Sequence, residues 1–166
     1  RLGTSSVRRK AFALAQRPDL NVTLLRGNIN SRIDKFRNGE YDAIILAEAG
    51  IQRLGIEVPY TEISNEIMLP SAGQGAIAIQ CRSNDKNILR LLRSINHKIT
   101  EYETLAERSF VANLNGTCSS PIGASANIKD DTLFLSGAIA NPDGSVVVSD
   151  RTSGCFNDAI NIGKAL

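Results

Sequence analysis

Between Ser5 and Gly55 five periodic segments follow one another, most of them closed by a proline or a glycine. Residues 5–16, SSVRRKAFALAQ, place Val7, Ala11, Leu14 and Ala15 at helical spacing, with Ser5 or Ser6 as N-cap and Pro18 as the stop. Residues 21–26, NVTLLR, alternate around Val22 and Leu24 before Gly27, which predicts a strand. Residues 29–38 predict a second helix, with Asn28 as cap and Gly39 just past its end. DAIILA, 42–47, is a continuous apolar run and reads as a strand buried on both faces. EAGIQRLG, 48–55, predicts a short helix ended by Gly55. Helix, strand, helix, strand, helix is the pattern of an α/β layer sandwich with a largely parallel sheet.

The pattern then changes. A loop-rich stretch runs through Pro59, Pro70, Gly73 and Gly75 to AIAIQC, 76–81, which predicts another buried strand with Cys81 packed at its end. Helices are expected over 85–94 and 99–114. NGTCSSPIG, 115–123, breaks all periodicity. Strands are expected over 122–128 and 132–140, the NPDG turn at 141–144 leads into a hairpin arm at 145–150, and a last helix runs from about 157 to the end. This second part is α+β with an antiparallel sheet, and the boundary between the two parts falls near residues 94–100.

Composition narrows the class. Apolar residues make up 42% and charged residues 22% of 166, so the chain is expected to be a soluble folded protein. No apolar run is long enough for a membrane span, and no signal peptide is visible. Three widely spaced cysteines argue against a disulfide framework and for a reducing compartment. One histidine and no Cys/His cluster argue against a metal site. The start at Arg1, with no initiator Met, suggests a piece of a longer protein. Charge is unevenly placed: residues 1–39 hold nine Arg and Lys against two Asp, within an overall net charge of +2. A concentrated positive region points to an anionic partner or to a solvated basic surface.

The arginines fall at element ends. Arg8 and Arg9 open the first helix, Arg26 ends a strand, Arg32 lies one turn into the next helix, and Arg53 sits in the short helix after the apolar run. Ligands of open α/β sheets bind where strands end and helices begin, and guanidinium forks there suit carboxylates or phosphates. Adjacent cations in a first turn oppose the helix dipole unless an anion joins them. Neighbours on a helix also diverge by about 100°, so the pair could equally point apart. Gly3, Thr4, Ser5 and Ser6 lack the pattern of a phosphate loop. Cys118, in a loop of small residues, is either a reactive thiolate or an inert surface thiol. His97 and the Asp130–Asp131 pair read as solvated, and no residue stands out for proton transfer.

The ordered segments GTSSVRRKA, LRGNINSRIDKFRNGEYDAIILAEAGIQRLG, LPSAGQGAIAIQCR, NHKITEYETLAERSFVANLNGTCSSPIGA and NPDGS resemble the porphobilinogen deaminase (hydroxymethylbilane synthase) family along essentially the whole chain. The resemblance implies a cytoplasmic, monomeric transferase of tetrapyrrole and heme biosynthesis that joins four porphobilinogen molecules head to tail, with loss of ammonia. The chemistry runs on a dipyrromethane cofactor held by a thioether to Cys118, with neither metal nor nucleic acid nor membrane as partner. Thr4, Ser6, Arg8, Arg9, Arg26 and Arg32 match cofactor contacts, and Arg26, Arg32, Arg53 and Gln74 match substrate contacts. By the same resemblance, residues 1–70 form a carboxylate-binding second domain of periplasmic-binding-protein-like α/β type. Residues 71–95 form the hinge and return segment of a largely missing first domain, and residues 96–166 an α+β third domain carrying the cysteine. The family's catalytic aspartate belongs to the missing part, so no catalytic residue is assigned here and the piece alone is expected to be inactive. A non-catalytic anion-binding module is the alternative, and a nucleic-acid binder a distant third.

Overall fold

The computed structural model describes residues 1–166 and contains two three-stranded sheets. The first is parallel, in the order β2-β1-β3, with β1 (Leu2–Gly3) between β2 (Val22–Thr23) and β3 (Ala43–Ile44). Each strand has two residues. Helices α1 (Val7–Gln16), α2 (Ile29–Arg37) and α3 (Glu48–Arg53) follow the strands in turn, so the order is strand, helix, strand, helix, strand, helix. The caps are those the sequence predicts: Ser6 accepts from the Arg9 amide and Asn28 from the Ser31 amide.

This sheet corrects three readings. The central strand Leu2–Gly3 was not anticipated, because two residues carry no period. NVTLLR pairs only at Val22–Thr23, after which Leu24 turns to solvent and Leu25 into the core. DAIILA is not buried on both faces: only Ala43–Ile44 pair, Ala43 is exposed, and the strand is an edge. A strand needs neighbours on both sides and layers on both faces to bury such a run, and β3 has a partner on one side only.

Residues 54–85 hold turns but no strand or helix. AIAIQC forms no strand; Ile77 is 79% and Ile79 59% exposed, and Cys81 is only partly buried rather than packed. Helix α4 (Lys86–Ile95), capped by Asp85, follows with no buried residue, and Ile88, Leu91 and Ile95 on it are exposed.

The second sheet is complete in itself. Helix α5 (Lys98–Asn113) starts at His97, whose ring nitrogen accepts from the Thr100 amide. Strands β4 (Ile122–Lys129), β5 (Thr132–Ala140) and β6 (Val147–Cys155) pair antiparallel in sequence order, and a 3₁₀ turn (Phe156–Asp158) leads into α6 (Ala159–Ala165). The turn Asp130–Asp131 has positive φ at both residues, the conformation a two-residue hairpin requires.

Strand β5 serves two cores. Leu133 and Leu135 face α5 and α6, where Ala106, Phe110, Ile122, Ala124, Ala159 and Ile162 close a buried cluster. Ala138 and Ala140 pack with Ala11 and Phe12 of α1 and with Leu69. The β5–β6 turn lies on the same helix: a Cβ at Gly144 would come within 2.8 Å of the backbone of Ala11, Leu14 and Ala15, at φ +75. The second sheet is thus seated on the helix that carries Arg8 and Arg9.

Candidate functional site

The site starts at the turn from β1 into α1. Thr4 is buried, and its Oγ1 accepts from the Ser6 amide at 3.2 Å. Ser6 Oγ in turn accepts from the Arg9 amide at 3.3 Å. Both hydroxyls serve as acceptors in capping, which leaves their O–H groups free to donate to a ligand. No acidic residue occupies the first turn of α1, so Arg8 and Arg9 face the positive end of the helix dipole uncompensated.

The two side chains diverge and are both held. Arg8 is only 7% exposed; Nη1 donates to the Leu69 carbonyl and Nη2 to Gln74 Oε1 at 3.4 Å. Arg9 Nη1 donates to the Ile45 carbonyl at 3.1 Å, just past β3. Arg32 Nε donates to the Gly27 carbonyl at 2.7 Å. Gly27 has φ +125, and a Cβ there would come within 2.2 Å of Ser31 Oγ, so the loop before α2 requires glycine.

The charges act on one another. Burial, with Arg9 beside it, brings the Arg8 guanidinium down to about 10. Burial and then the Arg32 charge lower Arg9 as well. The ion pairs of the chain join the N-terminus to Asp42, Arg17 to Asp19 and Lys98 to Glu101. None involves Arg8, Arg9 or Arg32. Two desolvated, mutually repelling guanidinium groups with carbonyl partners and no carboxylate form a site that gains stability when an anion enters.

The sequence-predicted residues divide. Thr4, Ser6, Arg8, Arg9 and Gln74 come together around the first turn of α1, and Arg32, on α2, reaches it through its charge on Arg9. Arg26 and Arg53 are exposed, and their guanidinium groups make no hydrogen bond within the chain. The Arg26 carbonyl instead accepts from Lys35 Nζ at 3.2 Å. Cys118 is exposed in a turn pinned by hydroxyls: the Thr117 amide donates to Ser120 Oγ at 3.0 Å and the Ser119 amide to Thr117 Oγ1 at 3.3 Å. Five residues later, Gly123 abuts Leu69; a Cβ there would lie 2.9 Å from the carbonyl oxygen that receives Arg8. Five residues span at most about 18 Å, which bounds the separation of Cys118 from that point.

Three contributors escaped sequence reasoning. The Leu69 and Ile45 carbonyls are backbone groups with no side-chain signature. Glu107 is buried on α5 and accepts from the amides of Gly73 at 2.7 Å and Ala126 at 2.8 Å. Its signal was present: an acid adjacent to core Ala106 and three residues before core Phe110.

The porphobilinogen deaminase family model described as the dipyrromethane cofactor-binding domain matches residues 1–90, and the family's C-terminal domain model matches residues 102–166. The chain belongs to the porphobilinogen deaminase family. The porphobilinogen deaminase of Lawsonia intracellularis is 45% identical over 167 aligned positions, covering 99% of this chain and 54% of that protein. The chain therefore spans about half the length of that curated relative. The cofactor-binding match contains the arginines of α1 and α2, and the C-terminal match contains Cys118. No helix is long and apolar enough to cross a membrane.

Proposed function

We propose that this chain is the primer-holding part of a hydroxymethylbilane synthase, which condenses four porphobilinogen molecules head to tail with release of ammonia. The observation that carries the reading is Arg8: a guanidinium 7% exposed, aimed at carbonyls, with no carboxylate partner. A dipyrromethane fits that donor set, since each pyrrole ring brings two acid groups and each fork can take one in parallel hydrogen bonds. When bound, the dipyrromethane supplies the terminal pyrrole carbon on which the chain grows.

The protein's own residues hold and orient. Arg8 and Arg9 take acid groups at the first turn of α1, where the helix dipole and the Thr4 and Ser6 hydroxyls add to the attraction. Arg32 extends the positive field, and the free Arg26, Arg53 and the Gln74 amide are assigned to incoming porphobilinogen. Fixing both rings by their acid groups lowers the barrier by orientation alone. Cys118 carries the thioether from its exposed turn.

The same reading divides the chain into residues 1–70, a periplasmic-binding-protein-like α/β unit, residues 71–95, a hinge and return segment, and residues 96–166, the third unit. Ile77, Ile79, Ile88, Leu91 and Ile95 form the face against which the other half of the full-length enzyme packs. Alone, this chain condenses no porphobilinogen. Cys118→Ser in the full-length enzyme tests the assignment by intact mass: the wild type should carry the dipyrromethane increment and the variant none. A variant that keeps the increment removes Cys118 from the role, and a wild type without any adduct favours a simple anion-binding module.

A further inference from the structure

Glu107 is a buried acid that the proposed function leaves unused. It is 9% exposed, and no cation pairs with it. Desolvation raises its carboxyl above the ordinary range, with a smaller push from Glu103, although the two backbone bonds act the other way. Both oxygens are engaged. Oε1 accepts from Ala126 of β4 at 2.8 Å, and Oε2 from Gly73 at 2.7 Å.

Gly73 lies in a turn with two glycines at positive φ, +70 at Gly73 and +95 at Gly75. The Ala124 amide ties the start of this segment to β4 through the Pro70 carbonyl at 2.9 Å, and Glu107 ties its middle. The next residue is Gln74. Its Oε1 accepts from Ser71 Oγ at 3.1 Å and from Arg8 Nη2 at 3.4 Å. Gln74 and Glu107 line one cleft of about 330 Å³. One line of hydrogen bonds and one peptide unit therefore lead from Glu107 to the Arg8 guanidinium. A buried acid is costly where an apolar side chain would do, so its value lies in the two amides it holds, one on each oxygen.

We propose that Glu107 is a positioning residue: it clamps the Gly73–Gln74 turn to β4 and so sets where Gln74 holds Arg8 at the anion site. This rests on the reading of Arg8 as a ligand for acid groups. The test uses full-length enzyme as Glu107→Gln, Gln74→Ala and the double variant, with porphobilinogen kinetics and amide hydrogen exchange. Glutamine offers one carbonyl acceptor where two amides each need one. Glu107→Gln should speed exchange at Gly73 and Gln74 and leave β5 protected. It should raise KM about tenfold with kcat within about twofold, the scale of one lost charged hydrogen bond. In the Gln74→Ala background the same change should add less than about twofold, because the path is already cut. Losses that multiply, unchanged exchange at Gly73, or global unfolding of Glu107→Gln overturn the positioning role. If Gln74→Ala and Arg8→Leu each leave KM and bound cofactor unaltered while exchange at Gly73 still rises, it is the anion-site reading that has failed, and the positioning role falls with it.

Discussion

The two sheets are built from opposite kinds of connection. β4, β5 and β6 are neighbours in sequence and in space, joined by tight turns and paired over eight and nine residues. Their core closes with α5 and α6 from the same stretch of chain. In the parallel sheet each strand reaches its partner only through a helix, pairing covers two residues, and the outer strand β3 has a free edge. Hairpin-connected structure completes itself from local chain; crossover-connected structure depends on segments far away in sequence. The stretch 76–95 is the extreme case, with apolar residues spaced for burial and nothing placed over them.

The largest effect expected in the folded chain is at the closed core. Leu135→Ala should lower stability by about 2–5 kcal/mol in urea unfolding, because Leu135 is fully buried and its truncation leaves a cavity in the core. A loss below about 1 kcal/mol would mean that the second sheet is as loose as the first. Next comes the anion site. Arg8→Leu in the full-length enzyme should weaken retention of the acidic ligand by about 10- to 100-fold, the equivalent of about 1.5–3 kcal/mol for charged hydrogen bonds. Equal binding in variant and wild type would reduce the buried arginine to a strut between α1 and Leu69.

A smaller effect distinguishes Glu107 by its titration. Its carboxyl is raised in the folded chain, so the folded state binds more protons than the unfolded one from the ordinary value of 4.5 up to the raised value. Its contribution is complete below that window and is lost as pH rises through it. The stability of the wild type relative to Glu107→Gln should therefore decline as pH rises above 4.5; a pH-independent difference would show that Glu107 is not desolvated. The smallest effect belongs to the open face. Ile79→Ala in this chain should change stability by no more than about 0.5 kcal/mol, whereas in the full-length enzyme the same change should cost about 2–5 kcal/mol. Equal effects in both would remove the packing role given to residues 76–95.

Legibility in the sequence followed the same division. Helices α1 and α2 were readable because Ser6 and Asn28 are side-chain caps that act within one turn. The second sheet was readable because Asp130–Asp131 and NPDG are turn chemistry set between alternating runs. Leu2–Gly3 was not readable, since two residues have no period. AIAIQC was misread because an apolar run reports the partner a segment is suited to, whether or not that partner lies in the same stretch of chain. At the site, position on α1 was enough to single out Arg8 and Arg9. That they diverge, toward Leu69 and Ile45, depends on carbonyl groups that every residue possesses.

A crystal structure of the full-length enzyme carrying its dipyrromethane would test the central claim most directly. The account predicts pyrrole acid groups hydrogen-bonded to the guanidinium groups of Arg8 and Arg9, with the thioether running back to Cys118. Acid groups directed to solvent or to other basic residues, with Arg8 still held only by Leu69 and Gln74, would contradict it.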